Sequence, residues 1–153
     1  MTPLKVNILR GMLIYAAGDT LASILTCGFS LLRLAGVMAV GALIYSFEIP
    51  AWFRWLNLRF SGIARAGMAV LYFNPLWIAR HLSFICLFSR ETGDVSPDLL
   101  VVALKGFTMN LPLVFAANYL IQNRIPLKWR FLSSAAFSSL MAVYYPLCRI
   151  IFK

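Results

Sequence analysis

Five residues carry chemistry that their surroundings make expensive: Asp19, Glu48, Arg80, His81 and Lys105 all stand inside long apolar stretches. An ionised side chain near the middle of a bilayer costs at least about 2.5 kcal/mol, so each needs a partner or a polar surround. The two acids and two strong bases invite ion pairing, Asp19 with Lys105 or Glu48 with Arg80, and residue types alone leave the choice open. Such pairs either fix helix register or line an aqueous path. Arg80 can also snorkel toward an interface, whereas Asp19 is too short to do so from mid-span and points to a water-lined interior. His81 is the only histidine, and Cys27, Cys86 and Cys148 are isolated in apolar segments. That inventory builds neither a metal cluster nor a nucleophile and base pair, and the sequence has no glycine-rich phosphate loop. The expectation is therefore no enzyme, no metal and no cofactor.

The elements that must position these residues follow from hydropathy. With 61% hydrophobic and 12% charged residues and a mean hydropathy of +0.82, the chain reads as an integral membrane protein. Its 153 residues suffice for one transmembrane domain and leave no room for a soluble catalytic module. Crossing a hydrocarbon core takes about 20 helical residues. Dividing the chain at its charges gives five candidate spans: 11–32, 34–53, 66–88, 99–121 and 131–148. None alternates at period two like a barrel strand. The expected fold is all-α, a compact bundle of four to five kinked transmembrane helices.

Basic residues outside the spans set orientation. Lys5, Arg10, Arg54, Arg59, Arg65, Arg124, Lys128 and Arg130 fall on one side, against Arg33, Arg90, Arg149 and Lys153 on the other. That excess places the N-terminus in the cytoplasm or the mitochondrial matrix. The acids of the opposite loop, Glu91, Asp94 and Asp98, weigh little in this rule. A formal charge of +9 spread along span borders, with no basic tract, excludes nucleic acid as a partner and favours anionic lipid. In the turn "NYLIQNRIPLKWRF", Arg124, Lys128 and Arg130 are expected at lipid headgroups, with Trp129 at the interface. The apolar run continues past Gly18 to Leu32, which fits a retained helix better than a cleaved signal peptide.

Gly18 with Ala22, Ala35 with Ala39 and Ser138 with Ala142 stand four apart, the spacing of closely approaching membrane helices. Pro75, Pro112 and Pro146 fall within spans, where each removes an amide donor and is expected to kink the helix. Asn74 and Asn110 adjoin two of these breaks and offer amides either to a polar passage or to packing.

Several spacings together resemble the Mpv-seventeen and peroxisomal-membrane-protein family of organellar membrane proteins. "KVNILRGMLIYAAGD" resembles its opening motif, closing in Gly18 and Asp19. "AWFRWL" resembles its Trp-Tyr-x-x-Leu element, with Trp52, Phe53 and Leu56. Arg65 precedes Pro75 by ten residues, as a basic residue precedes the central proline of the family. "LPLVFAANY" resembles the Trp-Pro-x-x-Gln-x-x-Asn-Phe signature through Pro112, Asn118 and Tyr119, and "PLKWR" its Pro-x-x-x-Arg through Pro126 and Arg130. The order is kept along nearly the whole chain. Ser46 and Phe47 replace the Gly-Pro of the family, Ala69 and Val70 its Asp-Gln, and Phe115 its signature Gln.

The resemblance implies an all-helical protein of the mitochondrial inner membrane, with the peroxisomal membrane as second address. It further implies a channel-like function supporting mitochondrial metabolite and redox homeostasis. In that reading Asp19, Glu48, Arg80, Lys105 and Asn118 are the pore candidates, and Asp19 and Lys105 face the aqueous path. The alternative expectation is an accessory structural subunit of a larger inner-membrane assembly such as a respiratory complex, binding cardiolipin-like lipid and neighbouring helices. The replacements at Ala69, Val70 and Phe115 favour this alternative, because a subunit can lose pore polarity and still pack. Partners under either reading are anionic membrane lipids, with a homo-oligomer or a larger complex as the assembly.

Overall fold

The computed structural model describes the backbone of residues 3–25, 28–90 and 97–151, and side chains within these ranges except at 3, 142 and 145–151. Cys27, Glu91, Asp94 and Lys153, and the side chains of Ala142, Pro146, Cys148 and Arg149, lie outside the described residues. The chain is all-α, with no strand among the described residues. Helix α1 spans Pro3–Leu25. The return passes through α2 (Leu31–Val40), one π-helical turn (Gly41–Tyr45) and α3 (Ser46–Arg59). Helices α4 (Gly62–Tyr72) and α5 (Pro75–Phe88) follow end to end, then α6 (Asp98–Arg124) and α7 (Leu127–Ile151). Leu4–Leu25, Leu31–Arg59, Gly62–Phe88 and Asp98–Arg124 are each long and apolar enough to cross a membrane. This is a multi-pass membrane protein, and α7 adds a fifth long helix of 25 residues.

The helix limits differ from those drawn at charges. Helix α1 begins eight residues before Gly11 and ends at Leu25, so Lys5 and Arg10 ride on its first turns. The first connection lies before Ser30, whose hydroxyl caps α2 by accepting from the Arg33 amide at 3.1 Å. Division at charges puts Arg33 at the border of the second span, yet it is buried inside α2. A charge with a bidentate partner can be buried inside a membrane helix, and Arg33 is paired with Asp19.

Pro75 is also corrected. Rather than kinking one long helix it occupies the first turn of α5, where its missing amide is no loss. Asn74 caps that helix by accepting from the Trp77 amide at 3.1 Å. Pro112 does lie inside α6, and Pro50 lies inside α3 just beyond the π turn. Asn110 donates to Met141 on α7, so both asparagines beside the prolines serve the scaffold.

Glycines set how closely the helices cross. Gly11 of α1 and Gly41 of the π turn meet backbone to backbone, and a Cβ on either would strike the other's carbonyl oxygen. One step along α1, a Cβ on Gly18 would stand 2.7 Å from the Ser139 Cα of α7. The Ser139 hydroxyl donates to the Ile14 carbonyl at 2.7 Å across the same seam. Because Gly11 meets Phe131 and Gly18 meets Ser139, α1 and α7, the first and last helices, run parallel and side by side. Of the expected small-residue pairs, Gly18 and Ala22 do face inward, whereas Ala35 and Ala39 face outward and Gly36 instead receives Phe88. The core they enclose centres on Tyr15, Tyr45, Ile49, Phe53 and Leu56, with Phe131 and Ala135 from α7.

Candidate functional site

Three groups of polar residues lie within the spans, and a fourth ties the basic end. At the end bearing the first turn, Asp19 and Arg33 make a bidentate ion pair, Nε to Oδ2 at 2.8 Å and Nη2 to Oδ1 at 2.6 Å. Asp19 is 2% exposed and Arg33 6%. The planar guanidinium satisfies both carboxylate oxygens, which is the geometry that makes a buried pair tolerable. Lys105, offered by the sequence as the partner of Asp19, lies on the outward face of α6. The two therefore do not share an interior path, and Asp19 serves the α1 to α2 hairpin.

The second group surrounds the π turn. A π turn rotates the residues after it relative to an α-helix, and here Tyr45 is turned fully inward. Its ring stands 4.7 Å from Tyr15 and 5.2 Å from Trp77, centroid to centroid. Its hydroxyl is 3.1 Å from Nδ1 of His81. Beside them a cavity of about 30 Å³, lined by Tyr15, His81, Asn118, Ser134 and Ser138 among others, has room for about one water. Asn118 donates to the Val114 carbonyl of its own helix at 2.9 Å, and its Oδ1 finds no hydrogen-bond partner among the described residues.

The third group faces outward. Arg80 donates to both oxygens of Glu48, at 3.3 and 3.0 Å, as one of the two pairings the residue types had offered. Unlike the Asp19 pair, these side chains are 34% and 38% exposed. Glu48 stands eleven residues from the end of α3 at Arg59, about 16 Å of helix. Arg80 stands eight from the end of α5 at Phe88, about 12 Å. Trp52, one turn beyond Glu48, stacks on Trp55 at 4.8 Å and on Tyr72 at 5.5 Å. The Nε1 of Trp52 and the Nε of Arg80 find no acceptor among the described residues. The outer surface thus carries a half-exposed ion pair well inside the span, with the two unpartnered nitrogens buried behind it.

The basic end is tied differently from the sequence expectation. Arg130 is not at the headgroups: it is 6% exposed and donates to the Ile125 carbonyl and to Oδ1 of Asn57, both at 2.9 Å. A guanidinium with those acceptors closes the α6 to α7 turn onto α3. Arg65 does similar work, donating to the Phe60 carbonyl at 2.8 Å and the Gln122 carbonyl at 3.0 Å. Arg124, Lys128 and Trp129 are exposed, and Pro126 stands in the turn just before α7. Sequence reasoning missed Arg33, Tyr45, Asn57 and Gln122. Arg33 carried a usable signal, a base just past a turn that follows an intramembrane acid, but Tyr45 depends on the π turn and had none.

Fold and site together define a multi-pass helical membrane protein whose described residues include a buried ion pair, a buried aromatic and histidine cluster and a half-exposed ion pair. No family model, curated protein or solved structure matches the chain.

Proposed function

We propose that this chain is an accessory, helix-bridging subunit of a larger membrane assembly, a diverged member of the Mpv-seventeen type set in the mitochondrial inner membrane. The observation that carries the reading is the Glu48 and Arg80 pair, one third exposed on the outer surface about 12 to 16 Å from the helix ends. Charges facing lipid at that depth are costly, and they persist where a protein neighbour or water covers them. A neighbouring transmembrane helix packed over the half-exposed pair would relieve the cost. The interior supports the same reading, since Asp19 is fully engaged by Arg33 and the central cavity takes about one water.

Native electrophoresis of mitochondria opened with mild detergent tests it. The expected result is comigration with a large complex, lost in the Glu48→Gln/Arg80→Gln double variant while the variant itself remains folded. Migration only as a free monomer would sink the proposal. The same outward face favours one second reading, a channel formed between copies of this chain, because Glu48 and Arg80 would then line the shared path. Reconstitution in planar bilayers separates the two: a channel gives conductance that changes in Glu48→Gln, and a subunit gives none beyond bare lipid.

A further inference from the structure

A second feature of the surface belongs to neither reading. At the basic end, the first turns of α1, residues 46–54 of α3 and the start of α7 surround a groove of about 980 Å³, at the upper end of the size usual for ligand sites. Arg10, Arg54 and Lys128 line it, and among the described residues no acidic one does. Arg10 is held in place by Trp129, its guanidinium 4.8 Å from the ring centroid. The rest of the wall is largely apolar, with Leu4, Phe47 and Phe53. Phe47 stands seven residues up α3 from Arg54, about 10 Å deeper along the span. One groove therefore offers three cations at its mouth and an apolar wall running inward.

We propose that this groove is a specific site for an anionic phospholipid, its phosphate held by Arg10, Arg54 and Lys128 and an acyl chain lying against Phe47 and Pro50. The shape favours lipid over a soluble phosphate, because a phosphate alone leaves the apolar wall uncovered. The site differs from the diffuse headgroup contact expected of any juxtamembrane base. It draws in Arg10 and Arg54 from the first half of the sequence and excludes Arg130, which is spent on Asn57.

Native mass spectrometry of the full chain tests this, after equilibration with phosphatidylglycerol or phosphatidylcholine of identical acyl chains. The wild type is expected to retain phosphatidylglycerol preferentially. Both Arg54 and Lys128 are exposed, so Arg54→Gln/Lys128→Gln should fold, and it is expected to lower that retention roughly 25-fold, about fivefold for each cation. Arg59→Gln/Arg124→Gln removes the same charge from exposed positions at the same end, outside the groove, and is expected to change it less than twofold. Arg54→Lys should keep most of the binding. Equal losses in the two doubles would mean a diffuse field and overturn the site. So would equal retention of the two lipids by the wild type, or full displacement by millimolar inorganic phosphate, which would mark a soluble ligand.

Discussion

The Asp19 and Arg33 pair gives the sharpest test of how the first hairpin is held. Each member is buried, and two short charge-assisted bonds join them. Removing one partner of a buried pair costs about 3 to 5 kcal/mol, because the other is left as an uncompensated charge. The two sides should not cost the same. Arg33 is the third residue of α2 and can swing toward the water at the turn, so Asp19→Asn should cost about 2 kcal/mol, near the value of a bond to a charged group. In Arg33→Met, Asp19 stays in place six residues inside the end of α1, too short to reach water, and the loss should be about 3 to 5 kcal/mol. Asp19→Asn/Arg33→Met then removes both charges, so its cost should fall short of the sum by at least about 2 kcal/mol. Unfolding in mixed micelles of rising dodecyl sulfate content, followed by helicity, measures all four corners of the cycle. If the two losses add to within about 0.5 kcal/mol, or Arg33→Met is neutral, the pair does not hold the hairpin as described.

Two further predictions concern the scaffold. Gly11→Ala and Gly18→Ala insert a methyl where a carbonyl and a Cα already stand, and each should destabilise by about 1 to 3 kcal/mol. Gly67→Ala, whose added methyl meets nothing within 4 Å, should gain up to about 1 kcal/mol from helix propensity in the same assay. Asn74→Ala removes the cap of α5 and should cost about 1 kcal/mol, with faster hydrogen exchange at the first amides of that helix and unchanged exchange in α1.

Much of the fold was legible because hydropathy is a sum over neighbouring residues. Apolar runs long enough to cross a bilayer predict helices whatever packs against them, and those helices are present, four of them long and apolar enough to span. Their limits were read less well. Dividing at charges sets the first span between Arg10 and Arg33, yet Arg10 lies on α1 and Arg33 lies inside α2, since a helix carries a charge that is near its end or paired. Of the site, Glu48 and Arg80 were nameable as partners by type and depth. The tie between Arg130 and Asn57, 73 residues apart, left no local trace.

By itself, then, the sequence determined the class of molecule, the presence of long helices and the position of the intramembrane charges, all of which depend on composition along a single segment. Only the tertiary structure decided which charges meet, which pair turns outward, and that the first and last helices lie parallel and touching. Those outcomes depend on the rotation of each helix about its axis, set by close glycine crossings and one π turn. A rotation of 100° per residue sends neighbours in the sequence to different faces, so the identity of a contact is settled between segments rather than within one.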